Sequence, residues 1–497
     1  MSATDYLLAI DQGTTSTRAM LFDTTGAVHH IARRPLRQIY PRPGWVEHDP
    51  EEIWQAVVAT CREASAAADG APVAALGITN QRETTVLWER ATGRPVHNAI
   101  VWQDRRTADL CEGWRAAGLE GIVAAKTGLV IDPYFSASKI RWLLDAVPGL
   151  AGRARDGGIA FGTIDSFLLW RLTGGRLHAT DLTNAARTML LDLHSLAWDD
   201  GLLDAFQIPP AILPEPRDCD GAFGATMPEL FGHAIPIAGV AGDQQAALIG
   251  QACFRPGMVK STYGTGAFAL LNTGTAPAPA RHRLLTTLAY RLAGETAYAL
   301  EGSIFVAGAA IQWLRDRLGI VASAEETQAM AERADRRQRV YFVPGFAGLG
   351  APYWAPAARG ALFGLTAECG RDEITCAALE AVGYQTRDLL DAMAADAGIT
   401  IDRLRVDGGM AANDWAMQFL ADIVPAAVER PASLETTAWG AAYIAGLARG
   451  LCPAPAAMTA QWSAAGRFEP AMDMAEREER YAGWRRAVAA TLAIVAP

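Results

Sequence analysis

The chain has 497 residues, a length beyond which one hydrophobic core stops growing, so two domains are expected. With 44 basic residues against 54 acidic, a net charge of −10 and only short basic clusters, the composition disfavours a nucleic-acid partner. No apolar run reaches the roughly 18 to 20 residues of a membrane span, and Asp5 and Asp11 stand where a signal peptide would be basic and then apolar, so a cytoplasmic protein without a membrane span is expected.

In chain order, Tyr6 to Ile10 reads as a strand, followed by the turn IDQGTTSTR (Ile10 to Arg18), a second strand Ala19 to Phe22 and a closing turn Asp23-Thr24-Thr25-Gly26. Taken alone this is a hairpin in which Gly13 supplies φ > 0 and the hydroxyls cap backbone groups. Asp49-Pro50-Glu51-Glu52 carries a helix start, with Asp as N-cap and Pro in the first turn, and the helix should run to about Ala68. Strands are expected at Val73 to Ile78 and Thr84 to Trp88, which makes the class α/β. The seven cysteines are scattered and include no C-x-x-C pair, so they read as small buried hydrophobes, not as disulfides or zinc ligands.

After the apolar run Ile235 to Val240 comes Ala241-Gly242-Asp243-Gln244-Gln245, where Asp243 by motif alone is as well an N-cap as a functional group. The pattern then restarts: Met258 to Thr262, the turn Tyr263-Gly264-Thr265-Gly266, Ala267 to Leu271 and Asn272-Thr273-Gly274 repeat the opening hairpin. Helical periodicity covers Ile304 to Leu318 and Ile374 to Met393. Leu404 to Val406 is a short strand entering Asp407-Gly408-Gly409-Met410, Asn413 or Asp414 caps a further helix, and the last clear helix runs from about Glu435 to Arg449. Two domains of similar design, with turns facing each other across a cleft, account for this order. A turn that holds phosphates needs free backbone N–H groups, little side-chain bulk, hydroxyl donors and a carboxylate nearby for Mg²⁺. Asp11, Gly13, Thr14, Thr15 and Ser16 meet that description, and Gly264, Thr265 and Gly266 meet all but the carboxylate.

Beyond those turns, ITNQRETT (Ile78 to Thr85), AIVWQDRRT (Ala99 to Thr107), AGDQQAALIGQ (Ala241 to Gln251), YGTGAF (Tyr263 to Phe268), VDGGMAAND (Val406 to Asp414) and ETTAWGAA (Glu435 to Ala442) occur in one order along the chain. Together with IDQGTTSTR they resemble the FGGY carbohydrate kinases of the actin-like ATPase superfamily, and among these the glycerol kinases. The resemblance implies two actin-like (ribonuclease H-like) α/β domains flanking an interdomain cleft, residues 1–252 mainly binding glycerol and residues 253–497 mainly binding nucleotide. It implies ATP and Mg²⁺ as cofactors. Thr14, Thr15, Ser16 and Arg18 would lie at the ATP phosphates with Asp11 near the metal, and Thr265, Gly308, Gln312, Gly409 and Asn413 would contact the nucleotide. Arg82, Glu83, Tyr134, Asp243 and Gln244 would be hydroxyl partners of glycerol, Trp102 and Phe268 its apolar walls, and Asp243 the catalytic base.

The same resemblance leaves another polyol or ketose as an alternative acceptor, and an actin-like ATPase without a small acceptor as a reading from another class. Some bacterial members bind fructose 1,6-bisphosphate through a Gly-rich loop with an arginine; here the loop reads Phe231-Gly232-His233-Ala234, so weak or absent inhibition is expected. Oligomeric state is left open, a homo-oligomer included.

Overall fold

The computed structural model describes residues 5–495. In the first half, β1 (Tyr6–Gln12), β2 (Ser16–Asp23) and β3 (Val28–Pro35) form an antiparallel meander. After α1 (Pro50–Ala66), strands β4 (Val73–Asn80) and β5 (Ile237–Gly242) add in parallel beyond β1, and α2 (Asp243–Gly250) follows directly. The sheet order is β5-β4-β1-β2-β3. α1 begins as its residues dictate, the Asp49 carboxylate accepting from the Glu51 N–H, and it buries Ile53, Val57, Cys61 and Ala64 along one face.

The second half repeats the plan. β6 (Val259–Tyr263), β7 (Ala267–Gly274) and β9 (Glu295–Ile304) form the antiparallel meander, with β8 (Leu285–Leu292) added outside β9. After α3 (Gly308–Asp316) and α4 (Arg371–Ala397), strands β10 (Arg403–Asp407) and β11 (Ala427–Pro431) continue in parallel beyond β6, separated by α5 (Asp414–Ile423). α6 (Thr436–Ala448), β12 (Ala464–Phe468) and α7 (Met474–Val495) complete the chain, and the sheet order is β8-β9-β7-β6-β10-β11-β12. This is the duplicated ribonuclease H-like arrangement anticipated above.

The two halves are joined by exchanged helices. α6 belongs to the second half in sequence but lies on β1, β4 and β5 of the first sheet, whereas α2 lies against β6, β7 and β8 of the second. One apolar core therefore runs through the boundary, containing Leu7, Ala9 and Phe22 together with Leu270, Ala299, Ala438 and Ala441. α2 and α6 cross so closely that a Cβ on Gly440 would collide with the carbonyl oxygen of Ala246, and one on Gly250 with that of Thr436. Residues 81–236, inserted between β4 and β5, build a lobe with its own core around Leu87, Trp114, Phe135 and Phe206, closed by Leu285 of β8.

Gly13 does not take the positive φ expected of it; the β1–β2 turn is closed instead by its N–H on the Ser16 carbonyl. Three further expectations shift in detail. The strand expected at Thr84 to Trp88 covers Val86–Glu89, because the Thr84 and Thr85 hydroxyls are bound locally to Gln81 and to the Glu83 carbonyl. Ile304 ends β9, and the following helix begins only at Gly308, where its N–H bonds the Gly264 carbonyl. Asp243 is not an N-cap: Gly242 holds that place and Asp243 opens α2.

Candidate active site

All three glycine-rich turns lie at strand ends along the seam between the two sheets. In the β1–β2 turn the Gly13 N–H bonds the Ser16 carbonyl, the Thr15 carbonyl accepts from Leu36 N–H, and the Thr14 carbonyl accepts from Gln38 Nε2 at 2.6 Å. With its carbonyls held behind it, the turn leaves the N–H groups of Thr14 and Thr15 without a protein acceptor among the described residues. A buried chain of amides braces it from below. Gln81 Nε2 donates to Gln12 Oε1 and to His48 Nδ1, and His48 Nε2–H donates to Gln38 Oε1 at 3.0 Å. Burial pulls the His48 pKa down to about 4, so the imidazole is neutral and can accept at Nδ1 while donating at Nε2.

Arg18 lies at the side of this turn. Its guanidinium donates to Asp11 Oδ2 through two nitrogens and to Glu435 of the second half at 2.5 Å, and the Asp11 carboxylate is the first cause that raises its pKa. The Asp11 Oδ1 atom has no protein partner among the described residues. Opposite, the turn at Gly264 to Gly266 seats the start of α3, since Ala307 and Ala309 N–H both bond the Thr265 carbonyl. Gly308 is required there, because a Cβ would press on the Gly264 carbonyl at 2.6 Å. Gln312 is exposed one helical turn on, on the same face as Gly308. The third turn places Gly409 in open space. Asn413 caps α5, its Oδ1 accepting from Ala416 N–H while its Nδ2 donates to Thr327 Oγ1 at 3.1 Å.

Deeper in the cleft lies a cluster of charges. Arg82 Nε is 3.2 Å from Asp243 Oδ1. Glu83 Oε1 accepts from Arg187 Nε at 2.6 Å. Above them Trp102 packs edge-on against Tyr134 at 5.7 Å and against Phe268 of the second half at 6.1 Å, and its Nε1 donates to Thr14 Oγ1 at 2.9 Å. One indole thus joins the aromatic wall to the β1–β2 turn. Gln244 Oε1 accepts from Lys260 Nζ, a fully buried ammonium that also donates to Thr262 Oγ1.

These neighbours set the acid–base chemistry. Burial pushes the Asp243 carboxyl up to about 6; Arg82 opposes the rise, Glu83 and Asp11 add to it. Burial brings Lys260 down to about 8 despite Asp407 and Asp243. Tyr134 is raised, by burial first and the Glu83 carboxylate next, and stays a neutral phenol. Asp243 Oδ1 accepts from the Gln244 N–H, and Oδ2 has no protein partner among the described residues. The arrangement suits a base that takes a proton from a small hydroxyl compound beside a turn of free backbone N–H groups.

The family model for the N-terminal domain of the FGGY family of carbohydrate kinases matches residues 6–250, and that for the C-terminal domain matches residues 259–449. The chain belongs to the FGGY family of carbohydrate kinases. Among its FGGY relatives are a glycerol kinase of Cereibacter sphaeroides, 59% identical over 98% of this chain and 100% of the relative, and one of Methylobacterium nodulans, 60% identical over 98% of each. A crystal structure of Plasmodium falciparum glycerol kinase with ADP superposes with a TM-score of 0.93 at 36% identity, covering 98% of both chains. The xylulose kinase of Rhodospirillum rubrum has a TM-score of 0.85 at 24% identity over 99% of both chains, a likeness of FGGY fold alone.

Several residues at the FGGY cleft escaped the sequence reading: His48, Gln38, Arg187, Lys260, Glu301 and Glu435. Glu301 did carry a signal, a charged residue inside the largely apolar stretch YALEGSI, whereas Lys260 in VKSTY was only a charge within a strand. Arg187 and His48 carried none, since only the fold brings them to the cleft.

Proposed function

We propose that this chain transfers the γ-phosphoryl group of ATP to a terminal hydroxyl of glycerol, giving sn-glycerol 3-phosphate, with Asp243 as the base. The observation that carries this reading is the pairing of Arg82 with Asp243, a carboxylate at about 6, under an aromatic wall of Trp102, Tyr134 and Phe268. The high identity to glycerol kinases along the full chain supports the acceptor.

In this reading the Thr14 and Thr15 N–H groups and the Ser16 hydroxyl receive the phosphates, and Arg18 neutralises them from the side. Thr265, Gly308, Gln312, Gly409 and Asn413 line the nucleotide side. Glu83, Arg82, Tyr134 and Gln244 fix the glycerol hydroxyls, each of which both donates and accepts. The carbon chain lies against Trp102 and Phe268. Residues 1–252 thus mainly hold glycerol and residues 253–497 mainly nucleotide.

Phosphoryl transfer passes through a loose transition state in which positioning and charge neutralisation do most of the catalysis. Asp243 need not ionise a free alcohol beforehand. It orients the hydroxyl and accepts its proton late, as that oxygen bonds to phosphorus and becomes acidic, and its raised pKa makes it a better acceptor than an exposed aspartate. The aromatic wall also excludes water, the competing acceptor.

Mg²⁺ fits this site. Among the described residues no three His, Cys, Asp or Glu side chains gather into a cage, but a metal brought in on ATP needs only one or two carboxylates besides phosphate and water. Asp11 offers its free Oδ1. When bound, the metal would neutralise phosphate charge.

The test is ADP release by the purified protein with Mg-ATP, comparing glycerol, larger polyols and ketoses, and no acceptor. Stimulation by glycerol is the expected result. Preference for another polyol would change the acceptor and keep the chemistry, whereas acceptor-independent turnover would move the chain to the actin-like ATPases.

A further inference from the structure

Glu301 stands in the middle of β9 with apolar neighbours on either side, and its carboxylate is wholly buried at the boundary between the halves. Its Oε2 accepts from Arg82 Nη1 at 2.5 Å, and its Oε1 from Arg82 Nη2 at 3.1 Å and Arg187 Nη2 at 2.8 Å. The same two guanidiniums reach forward into the cleft, Arg82 through Nε to Asp243 and Arg187 through Nε to Glu83. The two carboxylates that face the acceptor therefore each hang from one arginine, and both arginines hang from Glu301. Glu83 needs such support. Its backbone sits at φ +59°, a region other residues than glycine rarely occupy, and its carbonyl is pinned by the Ser136 and Thr85 hydroxyls.

Resting on the reading of Asp243, Glu83 and Arg82 given above, we propose that Glu301 is a positioning residue for the acceptor site: one carboxylate from the second half that sets, through Arg82 and Arg187, where Asp243 and Glu83 stand. A planar guanidinium held at its rear through both Nη atoms cannot turn, and Arg82 Nη1 is further tied to Gln245 Oε1 at 3.3 Å. Arg82 meets Glu301 in this way, and its Nε stands 3.2 Å from Asp243 Oδ1 as an ion-pair contact that leaves Oδ2 open. Without the Glu301 charge, Arg82 is free to turn its whole fork onto Asp243 and cover the atom that must take the proton. Arg187, relieved of the same anchor, no longer fixes the Glu83 carboxylate.

A purely structural tie would make a different set of changes. It would weaken both substrates together and lower thermal stability, whereas a positioning residue moves the acceptor KM and the pH profile and leaves the nucleotide alone. The variant to make is Glu301→Gln, which keeps size and accepting oxygen but loses the charge, assayed for glycerol KM, ATP KM and the pH dependence of kcat/KM. We expect glycerol KM to rise roughly tenfold and ATP KM to stay within about twofold. The acid limb should move to lower pH, because an Arg82 released from Glu301 favours the ionised form of Asp243. Glu301→Asp should bring back the acid limb, as the charge returns, while glycerol KM stays high, as the shorter arm cannot reach both arginines.

Unchanged glycerol KM and acid limb in Glu301→Gln would overturn the proposal, as would a parallel rise in both KM values with a lowered Tm. Should that variant not fold, Arg187→Lys keeps the cation and loses the fork; a raised glycerol KM with the acid limb in place supports the assignment, and unaltered kinetics overturn it. A wild-type protein that glycerol does not stimulate would remove the underlying reading, an outcome visible before any variant is made.

Discussion

Asp243 carries the sharpest consequences for a single side chain. As the proposed base it must be ionised to accept a proton, and burial holds its pKa at about 6. The rate should therefore fall as pH drops through about 6 and level off above it, the sign expected of a base whose protonated form is inactive. Asp243→Asn should lose roughly 10²–10⁴-fold in kcat and also lose that acid limb, while ADP binding measured by calorimetry persists. Retention of most of the wild-type turnover would remove Asp243 as base. What the sequence made legible at this scale were residues inside short motifs: Asp11 beside Arg18, Arg82 beside Glu83, Asp243 beside Gln244. The residues that support them lie far along the chain, as Arg187 from Glu83 and Glu301 from Arg82 do, and no local spacing relates such pairs. Lys260 was readable only as a charge within a strand; its place beside Gln244 comes from the register of β6.

Among the elements, the meanders, α1 and α6 were legible because periodicity, caps and glycine ends agree over a whole segment. The start of α3 was not, since Ile304 serves β9 and the intervening turn is stabilised by carbonyls of another hairpin. Nor could the α2–α6 crossing be read: Gly250 and Gly440 look like ordinary helix glycines until the partner helix is seen against them. That crossing predicts a severe effect from a modest change. Gly440→Leu drives a side chain into the Ala246 carbonyl, so the helices must separate, with a stability loss of about 1–3 kcal/mol or more. Thermal unfolding checks it. The surface change Arg337→Ala, at a residue whose side chain is 90% exposed, is the control expected to leave Tm unmoved. Equal Tm values for both variants would show that the helices part without strain.

For the molecule as a whole, regulation should be simple at the loop Phe231 to Ala234. Gly232 adopts φ +82° and closes a short helix, and the nearby Arg62 is engaged through Nε with the Leu230 carbonyl at 2.8 Å, so no arginine of the loop itself is present to meet a sugar bisphosphate. Fructose 1,6-bisphosphate should inhibit glycerol-dependent turnover weakly or not at all, and clear inhibition at low concentration in the same assay would refute this.

The exchanged helices also bear on how the chain comes to exist. β1, β4 and β5 are covered on one side by α6, and α6 leaves the ribosome roughly 200 residues after β5, of order ten to forty seconds later at ordinary rates of synthesis. Until then the emerging first sheet shows a bare apolar face around Leu7, Ala9 and Phe22. Nascent chains of this protein are thus expected to need a chaperone's cover during that interval, and a fragment ending at residue 252 should aggregate when made alone and be recovered in soluble form by co-expression of residues 253–497.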